Sequence, residues 1–374
     1  MKYSLLYIAC LFMSLTTNAQ QTHLPYTFKW GELPQIPDQF GFAGSFVGKS
    51  HGALIVAGGA NFPDGGAPWT SSKKVWNDKI FVLDSPTGQW KLAGKLPQTM
   101  GYGVSISHRD HLICIGGSNA DGHSAKVFVL TYRNKKIKIV QLPDLPQPLA
   151  NACGTVVGKL IYIAGGLLTP DAKTTANVFW SFNISDPEFA QWKKLETWPG
   201  PPRMLSVAGQ TNNAFYLFSG TDLEDKNGTA HRRYLNDAYK YTPGKGWSRI
   251  ADLPNAVVAA PGPAIFVNKN ELLIFGGDDG KLADNAATLK EKHPGFSDKI
   301  LKYNVHTNIW SVAGTIRTDK KPDAATNPNG SVWAPVTTGL VLWKGYIVFP
   351  GGEVRPAVRT PRVLIAKFTH DIEP

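Results

Sequence analysis

Leu54-Ile55-Val56-Ala57-Gly58-Gly59 is a short apolar run closed by two glycines, and the chain repeats it. It returns as Leu112-Ile113-Cys114-Ile115-Gly116-Gly117, as Leu160-Ile161-Tyr162-Ile163-Ala164-Gly165-Gly166 and as Phe215-Tyr216-Leu217-Phe218-Ser219-Gly220. Two further copies are Leu272-Leu273-Ile274-Phe275-Gly276-Gly277 and Tyr346-Ile347-Val348-Phe349-Pro350-Gly351-Gly352. Successive second glycines are 58, 49, 54, 57 and 75 residues apart, and the longest interval holds an insertion around Lys320 to Gly330. Self-similarity at such a period marks a repeat architecture, in which one unit buries its apolar faces only by stacking on the next.

Outward from each glycine pair, a polar loop of variable length leads to a second apolar segment, such as Lys79-Ile80-Phe81-Val82-Leu83, Ala238-Tyr239-Lys240-Tyr241 or Lys299-Ile300-Leu301-Lys302-Tyr303. A turn follows, then a Trp, then Leu-Pro or its equivalent: Trp90 with Leu96-Pro97, Trp192 with Trp198-Pro199, Trp247 with Leu253-Pro254, and Trp310 at the same place in the fifth unit. Apolar runs this short, bounded by Gly and Pro, suit strands rather than helices. Each unit therefore predicts four antiparallel strands and resembles the kelch repeat. The fold expected is all-β, a six-bladed kelch-type β-propeller.

The sixth unit predicts strands near 332–340, 343–350 and 361–369, with no Trp strand after them. That strand stands instead near the other end, at Tyr26-Thr27-Phe28-Lys29-Trp30-Gly31-Glu32-Leu33-Pro34. An N-terminal strand joining the C-terminal blade closes the ring and leaves no open sheet edge between first and last blades.

Charged residues are only 18% against 43% hydrophobic, which excludes a disordered chain. Lys2, the apolar run Leu5 to Leu15 and Thr17-Asn18-Ala19 predict a signal peptide over 1–19, a cut at Gln20 and a single domain over 20–374. Export to the periplasm is expected. Cys10 leaves lipidation as an alternative, against which stand its early place in the apolar run and the lack of the usual aliphatic residue before it. No later stretch reaches about 18 uninterrupted apolar residues, so stable membrane insertion is not expected. Cys114 and Cys153 sit in apolar runs as small core residues, and the nine scattered His lack the spacing of a metal site. The net charge of +11 favours anionic ligands. Its basic residues are dispersed, which argues against nucleic acid as a partner. The sequence carries no signal for oligomeric state.

In a propeller, the loops after the glycine pairs and the segments after each Leu-Pro gather on one face, where a rigid scaffold presents functional groups. They carry Asn61, Asp222, His231-Arg232-Arg233, Asp278-Asp279, His293, Asn151 and Pro201-Pro202-Arg203. The sixth loop is Gly352-Glu353-Val354-Arg355-Pro356-Ala357-Val358-Arg359-Thr360, with a carboxylate at the first position past the glycines. On the residues alone, Glu353 between Arg355 and Arg359 is most simply a rim salt-bridge cluster.

That segment nevertheless resembles the active-site stretch of the bacterial N-acetylneuraminate epimerases, or sialic acid mutarotases, which are periplasmic six-bladed kelch propellers. The resemblance extends to Gly41-Phe42-Ala43-Gly44, to Leu54–Phe62, and to Gly101-Tyr102-Gly103-Val104-Ser105, and covers most of the chain. Unit order is rotated relative to the family, as in its cyclically permuted branch. The resemblance implies a proton acceptor at Glu353 and a substrate-binding arginine at Arg359. Opening a 2-keto sugar ring moves one proton off the anomeric hydroxyl and one onto the ring oxygen, which suits a carboxylate beside a cation. A guanidinium suits the sugar's own carboxylate. Arg359 is the expected clamp, with Arg203 and Arg355 as further candidates. Asn61, Asn151 and Asp222 are candidates for the glycerol and N-acetyl groups. No metal or organic cofactor is required. Two other readings compete: a non-catalytic kelch module binding glycan or protein, and a copper-radical oxidase, which would need a Tyr-linked Cys on the rim.

Overall fold

Strands buried on both faces are near-continuous apolar runs, and the repeated runs have that character: Ala53–Ala57 is apolar and buried at every position, as are the four residues from Leu272 to Phe275. The computed structural model describes residues 26–64, 68–186 and 190–369. The expected signal peptide lies outside them. The chain is all-β, built of four-stranded antiparallel sheets as a propeller requires. The first sheet orders Phe46–Ser50, Ala53–Ala57, Lys79–Leu83 and Lys91–Lys95. The second sheet lies between residues 104 and 142, the third between 153 and 194, the fourth between 207 and 250 and the fifth between 265 and 315. In the sixth, Val341–Trp343, Tyr346–Pro350 and Val363–Thr369 are completed by Thr27–Leu33, in register from Thr27 opposite Thr369 to Leu33 opposite Val363.

Each large apolar cluster is shared by two sheets. Phe46 and Ile55 of the first sheet meet Cys114 and Phe128 of the second. Phe215 of the fourth packs on Tyr162 and Phe179 of the third, and Phe218 of the fourth on Tyr303 of the fifth. Phe275 of the fifth touches Phe349 of the sixth, ring centroids 5.3 Å apart. Val348 of the sixth joins Val56 and Phe81 of the first. The outer Trp residues tie neighbours by their indole N–H: Trp90 to Pro34 O, Trp192 to Pro143 O, Trp247 to Glu196 O and Trp310 to Ala251 O.

Where the chain enters each sheet, six residues with φ between 53° and 69° are linked head to tail by backbone hydrogen bonds. Gly44 N donates to Thr337 O, Thr337 N to Ala259 O, Ala259 N to Leu205 O, Leu205 N to Asn151 O, Asn151 N to Tyr102 O and Tyr102 N back to Gly44 O, all within 2.7–2.9 Å. This cycle explains one departure from the expected strands. Over 332–340 there is no continuous strand; the inner strand is Val341–Trp343. Thr337 is held at φ 53° by the cycle and Pro335 has no N–H for a ladder, so the segment makes single bridges at Val332, Val336 and Gly339.

All six second glycines of the repeat have φ between 92° and 119°. At Gly352, a Cβ would lie 2.6 Å from Val336 O, and the backbone on both sides is fixed. Gly352→Ala is expected to cost roughly 1–3 kcal/mol in a denaturant melt.

Candidate functional site

Glu353–Arg355 and Val358–Arg359 form a two-stranded ribbon in which Glu353 lies opposite Arg359. Directly opposed residues on antiparallel strands put their side chains on one face, so the spacing Glu-x-x-x-x-x-Arg with a tight turn between is what brings acid and base together. The backbone of Glu353 is locked to Val336 by two 2.8 Å hydrogen bonds, and Gly352 N donates to Phe42 O. The Glu353 carboxylate accepts Ala357 N at 3.0 Å. Its other oxygen lies 3.5 Å from Arg359 Nη1.

The Arg359 side chain is 6% exposed. Its guanidinium sits over the Phe62 ring at 4.9 Å, and Nη2 donates to Tyr102 Oη at 3.3 Å. Its Nε and Nη1 are buried with no hydrogen-bond partner. Burial opposes the guanidinium charge, but the Glu353 carboxylate and Tyr102 outweigh it and hold Arg359 above its ordinary pKa. Burial also pushes the Tyr102 phenol up. Gly44 makes room for that phenol, since a Cβ there would meet the ring at 2.6 Å.

Glu353 and Arg359 open on a cavity of about 810 Å³. Its floor is the hydrogen-bond cycle: Tyr102, Asn151, Leu205, Ala259 and Thr337 line both this cavity and a narrower one of about 120 Å³ beneath it. Its walls are the post-glycine loops, and part of one wall is the long hairpin Phe215–Lys226 and Thr229–Thr242, whose His231, Arg232 and Tyr234 face inward.

Of the seven residues given a catalytic or substrate-binding role from sequence, the structure brings Glu353, Arg359 and Asn151 to this cavity, and His231, Arg232, Asp278 and His293 of the expected rim line it as well. The other four of the seven do not line it. Arg203 is fully buried, with Nη1 and Nη2 on the two carboxylate oxygens of Asp237 at 2.9 and 2.8 Å and its guanidinium between Trp198 and Tyr239. Arg355 stacks on Trp333 and donates to the carbonyls of Glu291 and Ala325, pinning the insertion to the sixth loop. Asn61 donates to Asp38. Asp222 accepts from Thr175 and Arg233 at the base of the long hairpin. In each case a nearby partner of opposite polarity turns the side chain away from the opening. Cys114 and Cys153 are both free and buried in strands; burial pushes the Cys153 thiol up to about 12.

The model of the N-acetylneuraminate epimerase family matches residues 15–139 and 142–373. The chain belongs to that family. Relatives bearing the name N-acetylneuraminate epimerase include one from Salmonella typhi, 43% identical over 105 residues, which are 25% of this chain and 27% of the relative. Another, from Haemophilus influenzae (strain 86-028NP), is 26% identical over 247 residues, 61% of this chain and 59% of the relative. The chain thus spans between about a quarter and three fifths of the length of these curated relatives.

Several cavity residues of this epimerase-family chain escaped the sequence reading. Lys74 is open to the cavity, with its ammonium 4.5 Å from the Trp76 ring centroid and 5.0 Å from that of Tyr102. His123 has both ring nitrogens buried without hydrogen-bond partners, and burial lowers its pKa. Tyr234 donates to Asp278 at 2.7 Å across two loops. Nothing local marks Lys74, since Lys73-Lys74-Val75-Trp76 shows no strand alternation. Nothing local marks His123 either.

Proposed function

We propose that this chain interconverts the α and β anomers of N-acetylneuraminate at the Glu353–Arg359 pair. One observation carries the reading: a nearly buried guanidinium keeps two nitrogens without hydrogen-bond partners beside a carboxylate, at the wall of an open cavity. Buried donors left unpaired are costly, so an arginine held in this state fits an anionic ligand that completes it. The sugar's carboxylate sits on the anomeric carbon. With that group on Arg359, the anomeric hydroxyl falls beside Glu353, the base. Glu353 takes the hydroxyl proton, the bond from the anomeric carbon to the ring oxygen breaks as that oxygen takes up a proton, and the open-chain 2-keto acid forms within the cavity. Rotation about the bond next to the ketone and reclosure from the other face give the other anomer.

Around this site we propose one closed ring of six blades as a single domain, in the rotated order, with Thr27–Leu33 completing the sixth. The unbroken cycle of six backbone hydrogen bonds and the clusters shared by neighbouring sheets support it. Export to the periplasm is proposed on the pattern of residues 1–19 alone.

The test is proton NMR of freshly released α-N-acetylneuraminate, with and without micromolar protein. Equilibration of the anomers well ahead of the spontaneous rate is expected. A rate equal to the spontaneous one, with sugar still bound, would make the chain a glycan-binding module instead. Arg359→Lys keeps the charge but loses the planar donor set. Losing a hydrogen bond to a charged group costs about 1.5–3 kcal/mol, so sugar affinity should fall roughly tenfold to a hundredfold by calorimetric titration.

A further inference from the structure

Ring opening of a cyclic hemiketal moves two protons at two oxygens on the same carbon. Glu353 accounts for one. The second group must face the same cavity, lie next to the Glu353–Arg359 pair, and carry a proton it can release. Arg359 does not deprotonate in proteins. The Tyr102 hydroxyl already accepts from Arg359, and burial makes its phenol a weaker acid. Asp278 accepts Tyr234 Oη and Gly280 N. His293 accepts Gly295 N on Nδ1, and burial holds it toward the neutral form.

Lys74 meets all three conditions. It precedes Val75–Trp76, which pairs with Ala60–Asn61 directly after the first glycine pair, so its backbone is anchored to the rim. Its ammonium rests on the faces of Trp76 and Tyr102, and Tyr102 separates it from Arg359. Among the described residues, no carboxylate lies within ion-pair distance of it. A cation held on two aromatic faces beside a second cation, and in no direct ion pair, suits an ammonium reserved for something that enters the cavity.

We propose that Lys74 is the second proton-transfer group of the site, giving its proton to the ring oxygen as Glu353 takes one from the anomeric hydroxyl. The proposal rests on the mutarotase reading. The steps balance: the bond from anomeric carbon to ring oxygen breaks, its electrons stay on the oxygen that Lys74 protonates, and the hydroxyl oxygen becomes the ketone oxygen. On reclosure the ring hydroxyl returns its proton to Lys74 and Glu353 returns the other. Lys74 as a residue is exposed, open to the cavity; partial desolvation of its ammonium and repulsion from Arg359 lower its pKa, with Glu353 acting the other way. That shift brings an amine closer to the range in which it exchanges protons efficiently.

The experiment compares Lys74→Gln and Lys74→Arg with wild type by NMR anomer exchange at saturating sugar, alongside calorimetric binding. Loss of a proton-transfer group slows the saturated rate roughly 10²–10⁴-fold. Both variants should show that loss while sugar affinity stays close to wild type, because arginine restores the charge without a proton to give. The wild-type rate should fall on the alkaline side as Lys74 loses its proton, and that limb should be missing in Lys74→Gln. The charged or titratable groups facing Lys74 across the site are Glu353, Arg359, Tyr102 and His123, and all remain in the variant. Added ethylamine should partly restore Lys74→Ala. A saturated rate unchanged in either variant, or a loss confined to affinity, overturns the proposal. Failure of wild type to accelerate exchange would instead remove the mutarotase reading itself.

Discussion

Glu353→Gln is expected to lower the saturated rate of anomer exchange by roughly 10²–10⁴-fold, the usual contribution of a positioned acid–base group. The variant isolates the proton transfer from everything else. Glutamine keeps the shape of the side chain, and its amide oxygen can still accept Ala357 N, the 3.0 Å bond that orients the native carboxylate. What disappears is the basic oxygen 3.5 Å from Arg359. Glu353 is 20% exposed and its ion pair is long, but Arg359 is only 6% exposed, so leaving that guanidinium without its counter-charge should cost roughly 1–3 kcal/mol in a denaturant melt. Sugar affinity should persist, since Arg359 retains its unpaired nitrogens. A Gln variant that exchanges anomers at the wild-type rate would place the base elsewhere.

Asp237→Ala should give the largest loss of stability, about 3–5 kcal/mol in a denaturant melt, with the saturated rate of the folded protein nearly unchanged. Asp237 receives both terminal nitrogens of Arg203 and the Tyr239 hydroxyl at 2.7 Å. Removing it leaves a fully buried guanidinium without its counter-charge. Burial alone would raise the Asp237 carboxyl, but the bonds and charge of Arg203 outweigh it and hold the group below the ordinary carboxylate range. A group depressed in the folded state stabilises it above the unfolded pKa, and that contribution is lost as pH falls through the folded pKa. The variant should therefore lack part of the wild-type protein's acid destabilisation. A stable Asp237→Ala protein that no longer binds sugar would restore Arg203 to the substrate.

These two residues also mark how far the sequence could be read. The sheets were legible because the Gly-Gly repeat fixes where every second strand ends, and because Thr27–Leu33 has the character the sixth unit lacks. That Glu353 and Arg359 meet was legible because their relation is local, six residues apart on two strands of one ribbon, but the roles expected of them came from the resemblance and not from the spacing. Arg203 was misplaced because what turns it inward is Asp237, 34 residues away in the strand Thr229–Thr242. Asn61 and Asp222 went the same way, drawn to Asp38 and Thr175. Rim position is set by chain order, but side-chain direction is set by partners from other loops. Lys74 was missed for the converse reason, since its setting on Tyr102 joins the first sheet's loop to the entry of the second.

The most direct measurement is a crystal structure of the Glu353→Gln protein with N-acetylneuraminate bound. The account predicts the sugar carboxylate on the Arg359 guanidinium, and the anomeric oxygen within about 2.6–3.2 Å of the residue 353 side chain. A sugar whose anomeric carbon points toward His231 and Arg232 of the long hairpin, or one bound outside this cavity, would contradict it.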